Sequence, residues 1–103
     1  MAAHLLVLYH PPKDTAAFDA YYQSTHVPIA KKLPGLRRYS LSREVAAAGG
    51  GASPYHLVAD LEFDSSDAIG RATASPEGAA AIEDTGKFAT GGLTILTYES
   101  FDV

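Results

Sequence analysis

The chain has 103 residues, eight Lys and Arg against twelve Asp and Glu, a formal net charge of −4 and no cysteine. This length predicts a single domain over residues 1–103 with a modest core. The acidic balance disfavours nucleic-acid binding, which needs a basic face, and the lack of cysteine excludes disulfides, thiolate zinc sites and a cysteine nucleophile. The longest apolar runs are far below the ~20 residues that span a bilayer, so we expect a cytoplasmic protein without a membrane span.

The first half of the chain predicts a strand and then a helix that is interrupted near His26. Residues 4–10 are apolar and end at two prolines, which is typical of a buried strand entering a loop. The Asp-Thr pair at 14–15 can cap a helix, but Pro28 disfavours helical geometry at the residue before it. We therefore expect a kink or break near His26, followed by a second helical stretch that ends at Leu33.

Steps of three or four residues along this helical segment give one apolar stripe that contains an imidazole: Phe18, Tyr22, His26, Ile29 and Leu33. An ionisable group on a core-facing stripe needs a reason. A histidine just before a proline can bond the backbone carbonyl that the proline leaves without a donor, and this structural role stays open. The alternative is a catalytic base, because an imidazole can take up or release a proton near neutral pH.

The second half predicts two alternating strands, two short helices and a last strand. Residues 38–45 and 55–63 alternate between apolar and polar side chains, as half-buried strands do, and a Gly-rich segment connects them. In the second of these strands His56 and Asp60 fall on the same face, as surface or interface residues. Helices are expected to begin within residues 64–67 and at Ser75-Pro76, and residues 93–101 are good β-formers.

The element order βαββαβ predicts an α+β, ferredoxin-like fold, in which helices cover one face of a four-stranded antiparallel sheet. A chain this small cannot cover the other face as well. If Leu6, Val58 and residues of the last strand make that face partly apolar, sheet-on-sheet contact between two copies would bury it. We therefore expect a homodimer through the sheet face.

Several motifs together resemble the EthD family of dimeric α+β barrel proteins, along nearly the whole chain. The most specific is His26-Val27-Pro28 followed by Leu33-Pro34-Gly35-Leu36. The others are Tyr9-His10-Pro11-Pro12, Phe18, Tyr22, Tyr39, Tyr55-His56-Leu57 and Leu61-Glu62-Phe63. The resemblance implies a ferredoxin-like homodimer that forms a dimeric α+β barrel, with a cavity between sheet and helices in each subunit.

The resemblance also implies the kind of chemistry. Family members are associated with the degradation of ethers and aromatic compounds and with polyketide tailoring, and the related methylmuconolactone isomerases handle small lactones with His and Tyr residues. By this resemblance His26 and Tyr39 are the candidate catalytic residues. A cysteine thought to help line the isomerase pocket has no counterpart here, which puts that reaction in doubt. The family name is often attached to a reductase label, yet Gly49-Gly50-Gly51 precedes a strand, so no dinucleotide fingerprint is present.

Aromatic side chains supply candidate walls for a pocket that takes a flat, oxygenated ligand. The candidate substrate-binding residues are Tyr9, Tyr22, Tyr55, Phe63 and Tyr98. Core packing is an alternative role for each tyrosine, since aromatic residues dominate small cores whatever the function. No cofactor and no metal site is predicted, because His4 and His10, six residues apart on one strand, cannot chelate one metal by themselves.

Three functions are consistent with this sequence. The first is a small cofactor-independent enzyme that isomerises, dehydrates or cyclises an aromatic, lactone or polyketide-like molecule, with His26 as base and Tyr39 or Tyr9 orienting the substrate. The second is a non-catalytic dimeric protein that binds such a molecule or assists an oxygenase. The third is a haem-binding or haem-degrading relative, which would need a histidine facing an apolar cavity large enough for the macrocycle.

Overall fold

The computed structural model describes all 103 residues as a four-stranded sheet with helices on one of its faces. The strands are β1 (Ala2–Tyr9), β2 (Arg38–Leu41), β3 (Leu57–Phe63) and β4 (Leu93–Ser100). They lie in the order β2-β3-β1-β4, with every neighbouring pair antiparallel. The helices are α1 (Thr15–Tyr21), α2 (Val27–Ala30), α3 (Ser66–Ala74) and α4 (Pro76–Thr85). The predicted α+β class and ferredoxin-like βαββαβ order are confirmed, and none of the helices is long and apolar enough to cross a membrane.

Of the kink or break expected near His26, the break does not occur: the helix changes to a π-helical turn over Tyr22–His26, which joins α1 to α2. In this turn the Val27 N–H donates to the Tyr22 carbonyl, five residues back. A proline in an α-helix lacks the N–H donor, and its ring crowds the carbonyl four residues earlier. The wider turn lies just before Pro28 and absorbs that conflict without ending the helix.

The π turn also shifts the buried stripe by one residue after His26. Phe18, Tyr22 and His26 are buried as predicted, but Ala30 takes the buried position that the sequence pattern assigned to Ile29, which is only half-buried. The spacing from Phe18 is thus four, four and four residues. In a regular α-helix three such steps drift by roughly 120° around the axis. The extra residue of the π turn offsets this drift and keeps all four side chains on the sheet side.

Strand β2 is shorter than the alternation through residue 45 predicted. Its pairing with β3 ends at Leu41 and Ala59. At the next position the Ser42 N–H still donates to the Val58 carbonyl, but the Val58 N–H donates to the Ser42 hydroxyl instead of the backbone. The side chain thus replaces a backbone partner and terminates the ladder.

The prediction that His56 and Asp60 share a sheet face is also wrong. His56 Nε2 lies 2.8 Å from the Asp19 carboxylate on α1, so the ring is on the helix side. Asp60 pairs across the opposite face with His4, at 2.9 Å. Strand β3 begins only at Leu57, and the two-residue alternation of side chains does not extend back through the turn before it.

The core lies between the sheet and the helices and is centred on four aromatic rings, those of Tyr9, Phe18, Tyr22 and Phe88. Every pair of these rings has its centroids 5.2 to 5.8 Å apart. Such pairs contribute about 0.5–1.5 kcal/mol each beyond the area they bury. The cluster holds β1, α1 and the segment before β4 together, and it fixes the position of Tyr22 next to His26.

The opposite face of the sheet, which we call the outer face, has no helix over it. Its apolar side chains are half-buried or exposed: Leu6, Leu8, Val58, Leu96 and Tyr98. Among them His4 makes a polar cluster, with its Nδ1 on the Asp60 carboxylate and its Nε2 3.0 Å from the Ser100 hydroxyl. Tyr98 stacks on the His4 ring at 4.8 Å.

Helices α3 and α4 meet at Ser75, which ends the first and caps the second. Its hydroxyl accepts from the Gly78 N–H, as the predicted Ser-Pro-Glu helix start implies. The two helices are so close here that a Cβ added to Gly78 would lie 2.2 Å from the Ala72 carbonyl oxygen. Glycine at this position therefore allows the close contact that brings α4 over the sheet.

We expect Gly78→Ala to lower the free energy of unfolding by about 1–3 kcal/mol, because the methyl group collides with backbone atoms that cannot rotate away. The matched control is Gly70→Ala on α3, where an added Cβ meets no atom within 4 Å. That control should raise stability by roughly 0.5–1 kcal/mol through helix propensity. Urea unfolding of both variants tests this, and a stabilising Gly78→Ala would contradict the close helix contact.

Candidate active site

A small cavity of about 60 Å³ lies between the helix-facing side of the sheet and the helices above it. Its floor is built from side chains of all four strands, and its walls come from the π turn, α2, α3 and α4. Most of the lining is apolar. Ile82 on α4 and Ile95 on β4 line the cavity yet are 54% and 47% exposed, so they mark its mouth.

A buried histidine–aspartate pair lies at one wall of this cavity, with His26 on the lining and Asp84 behind it. His26 and Asp84 are 4% and 3% exposed, and His26 Nδ1 lies 2.9 Å from Asp84 Oδ2. The other carboxylate oxygen, Oδ1, accepts a hydrogen bond from the Tyr21 hydroxyl at 2.7 Å. Both oxygens of the buried carboxylate are therefore satisfied, as burial of a charge requires.

The hydrogen bonds around Asp84 keep it ionised despite its burial. Burial by itself would raise the pKa of this carboxyl. The hydrogen bonds from Tyr21 and His26 and the positive charges of His26 and Lys87 outweigh that effect, and the pKa falls below its ordinary value.

The ionised carboxylate fixes the tautomer of His26. A carboxylate can only accept, so Nδ1 must carry the proton that joins the two groups. In the neutral imidazole the lone pair then lies on Nε2, which makes no hydrogen bond within the chain. Since His26 lines the cavity, this nitrogen is the proton acceptor available to a bound molecule.

Three tyrosines, Tyr9, Tyr22 and Tyr39, line the same cavity and keep their hydroxyl protons. Burial is the largest of the causes that raise the pKa of each of them above its ordinary value. The Tyr22 and Tyr39 oxygens are 2.6 Å apart and share one hydrogen bond, and the Tyr22 hydroxyl also interacts with that of Tyr9. Two hydrogen bonds among three hydroxyl groups leave one O–H group without an acceptor among them. The cavity therefore offers a neutral hydrogen-bond donor close to the imidazole, whose ring centroid is 5.0 Å from that of Tyr22.

The structure brings four of the seven predicted site residues to one cavity: His26, Tyr39, Tyr9 and Tyr22. The other three lie elsewhere. Phe63 is fully buried in the core and Tyr98 stacks on His4 across the outer face, because its position in β4 points away from the helices. Tyr55 precedes β3 and packs against His10. None of these three lines the cavity. The sequence pattern of aromatic residues alone could not distinguish those that line a pocket from those that pack elsewhere.

Sequence reasoning missed Asp84 and Tyr21, which hold His26 in place. A signal for Asp84 was present, because it lies three residues after Ala81 on the buried stripe of α4. A carboxylate on such a stripe is as exceptional as the histidine on the first helix. The sequence pattern did not reveal that the two helices meet, since 58 residues separate the pair.

The chain matches known proteins over most of its length. The EthD domain family model matches residues 10–92. An uncharacterised 11.0 kDa protein in the thcB-thcC intergenic region of Rhodococcus erythropolis is 41% identical over 90 residues, which cover 87% of this chain and 86% of that protein. The crystal structure of an EthD family protein from Bacillus halodurans is 35% identical with a TM-score of 0.89, covering 98% of this chain and 100% of that one.

Two more distant structures share the fold. A dimeric ferredoxin-like protein of unknown function from Thermobifida fusca has a TM-score of 0.69 at 15% identity, over 95% of this chain and 90% of that one. SnoaB, a cofactor-independent oxygenase from Streptomyces nogalater, has a TM-score of 0.69 at 17% identity, over 99% of this chain and 95% of that one. At such identity the likeness concerns the fold alone.

The lowered pKa of Asp84 predicts an acid-sensitive contribution to stability. A carboxyl whose folded pKa is below its unfolded value of about 3.8 stabilises the protein above that pH, and the contribution is lost as the pH falls through the folded value. We expect Asp84→Asn to lower the free energy of unfolding at pH 7 by about 2 kcal/mol. The gap between variant and wild type should begin to narrow below about pH 4 and shrink further as the pH falls through the folded pKa.

Urea unfolding between pH 7 and pH 3 measures this gap. The matched control is Asp19→Asn, which also removes a carboxylate paired with a histidine, but one whose side chain is 61% exposed. That variant should stay close to wild type at every pH. Equal losses in the two variants would mean that the buried pair adds nothing specific.

Proposed function

The chain belongs to the EthD domain family, and we propose that it is a cofactor-independent enzyme that moves protons on an aromatic, lactone or polyketide-like small molecule. The observation that carries the proposal is the buried His26–Asp84 pair, whose free Nε2 borders an apolar cavity beside neutral tyrosine hydroxyls. A poised base opposite a hydrogen-bond donor is the arrangement needed to remove a proton next to a carbonyl group.

The proposed reaction begins with transfer of a proton from a substrate carbon to His26 Nε2. The electron pair left on the carbon moves onto the carbonyl oxygen, which accepts a hydrogen bond from the tyrosine hydroxyl that has no acceptor among the three tyrosines. The resulting imidazolium is stabilised by the Asp84 carboxylate. Return of the proton to another carbon completes an isomerisation, and delivery to a departing hydroxyl group releases water and completes a dehydration.

Residues divide into two roles in this proposal. His26 and Tyr39 touch the substrate and are catalytic, with Tyr22 sharing the donor position. Asp84 acts through His26 and is a positioning residue, because it sets the tautomer and balances the charge that His26 acquires. Tyr21 in turn occupies the second oxygen of Asp84.

The cavity does not favour the haem-binding hypothesis. Its volume of about 60 Å³ is far too small to enclose a porphyrin, whereas one end of a smaller molecule can enter it through the mouth between Ile82 and Ile95. A porphyrin would require the helices to separate from the sheet.

Exchange of substrate hydrogen with solvent tests the proposed base whatever the product is. Small ketones, lactones and hydroxyquinones are incubated with the protein in D2O, and loss of their C–H signals is followed by proton NMR. The wild type should accelerate exchange in at least one compound, and His26→Gln should reduce that acceleration by about 100-fold or more. Glutamine has an N–H group that can still donate to Asp84, so the variant removes the proton acceptor and keeps the hydrogen bond to the carboxylate.

The matched control is His56→Gln, which alters another imidazole, one that pairs with Asp19 on α1 outside this cavity. It should exchange at the wild-type rate. Compounds that bind without exchanging in any variant would contradict the enzyme proposal and support the alternative, a non-catalytic binding protein or an accessory protein of an oxygenase.

We further propose that a second copy of the chain covers the outer face of the sheet. Supporting this are the exposed Leu96 and Tyr98 on that face and the dimeric state given for the fold relative from Thermobifida fusca. A two-fold contact would bring the same apolar stripe together from both copies. The His4 cluster would lie inside this contact with its ring nitrogens already bonded.

Leu96→Glu is expected to convert a dimer of twice 10.8 kDa into a monomer, because it places a charge in the centre of the apolar contact. The control is Ala80→Glu on the exposed side of α4, which should leave the dimer intact. Light scattering after gel filtration measures both masses. A wild type that is monomeric at high concentration would contradict the sheet-face dimer.

A further inference from the structure

The polar groups that the cavity can offer to a ligand lie close together, since the His26 ring centroid is 5.0 Å from that of Tyr22 and the Tyr22 and Tyr39 oxygens are 2.6 Å apart. From this arrangement we infer that the site selects uncharged molecules with one carbonyl or lactone oxygen on an otherwise apolar body. The inference rests on the proposed function and narrows its substrates. It is carried by three features of the lining: its hydrogen-bond groups, its charges and its shape.

The hydroxyl groups on the helix walls are already used within the helices. Thr73 Oγ1 donates to the Ile69 carbonyl at 3.1 Å, and Thr85 Oγ1 donates to the Ile82 carbonyl at 2.6 Å. A ligand therefore meets threonine side chains whose protons are already engaged. The groups that remain free are His26 Nε2 and the tyrosine hydroxyls. One ligand oxygen can be satisfied there, and further polar groups would be buried without partners.

The lining carries no lysine or arginine. The Asp84 carboxylate lies behind His26, and Lys87, which acts on that carboxylate, does not line the cavity. A ligand carboxylate or phosphate would lose its hydration, find no cation and lie near a negative charge. If His26 were protonated, its charge would already be balanced by Asp84. The cavity therefore disfavours anions in either state of the imidazole.

The shape of the cavity orients the apolar part of the ligand. The cavity volume of about 60 Å³ accommodates the oxygen-bearing end and few other atoms. Any larger apolar body must extend through the mouth between Ile82 and Ile95, whose side chains are half-exposed. Polycyclic molecules with several oxygens are thus poor fits. Small lactones and ketones fit better, because their one oxygen can bond the free polar groups while their apolar part lies at the mouth.

Matched pairs of neutral and anionic ligands test this inference on the full-length protein. The pairs are γ-valerolactone with its ring-opened 4-hydroxyvalerate, and acetophenone with benzoate, so that carbon skeletons stay similar within each pair. Saturation-transfer NMR gives the dissociation constants at pH 7.5. We expect the neutral member of at least one pair to bind roughly tenfold or more tightly than its anion.

Two lysine variants test whether the lack of positive charge on the lining causes the preference for neutral ligands. Ile95→Lys places a cation at the mouth, at a half-exposed position that tolerates it, and should improve anion binding relative to the neutral partner by roughly tenfold. Ala80→Lys adds the same charge on the exposed side of α4, away from the cavity. It should leave the preference unchanged.

The outcomes separate this inference from the proposed function. Neutral ligands that bind selectively but never exchange hydrogen would support the inference and overturn the enzyme. Hydrogen exchange with solvent that occurs only in compounds carrying a carboxylate would support the proposed enzyme activity and overturn the inference. Equal binding within both pairs, or no binding of either neutral ligand, would also overturn the inference.

Discussion

The position of the cavity and its chemistry depend on one buried carboxylate. Asp84 can be ionised at 3% exposure only because one oxygen takes the Nδ1 proton of His26 and the other takes the hydroxyl proton of Tyr21. These two bonds join α4 to the first helical segment, so they hold the two walls of the cavity at a fixed distance. The same two bonds decide which nitrogen of His26 remains free. A substitution of Asp84 would therefore affect both the packing of α4 and the tautomer of His26.

The three cavity tyrosines complement this pair by staying neutral. Burial raises their pKa values, so at neutral pH they donate hydrogen bonds and do not act as bases. The imidazole is the only group on the lining suited to accept a proton. Acid and base roles are thus separated by environment rather than by residue type. The pKa of Asp84 is lowered, whereas the pKa values of the three tyrosines are raised.

Much of the fold could be predicted from sequence, because the strands carry a two-residue alternation and the Ser75-Pro76 helix start is read from local chemistry alone. In β2 the apolar–polar alternation of the sequence continues past Leu41, but the strand ends there because the Ser42 hydroxyl replaces a backbone acceptor. The site was predicted less completely. His26 stood out because an ionisable residue interrupts an apolar stripe, but its partner on α4 is distant in sequence. Tyr98 and Tyr22 are both tyrosines in apolar segments, so the sequence does not distinguish them. The pairing register of β4 places Tyr98 on the outer face.

The π turn between α1 and α2 contains one residue more than the same length of α-helix would. Phe18 and Ala30 both face the sheet because of that residue. Removing any one residue of the turn would rotate everything before it by roughly 100° relative to everything after it. Two related sequences aligned with a one-residue gap in this segment would therefore differ in more than helix length. The histidine could be identical in both, yet in the shorter chain it would no longer lie above the cavity together with the Phe18 ring, so identity at this column alone does not establish a shared site.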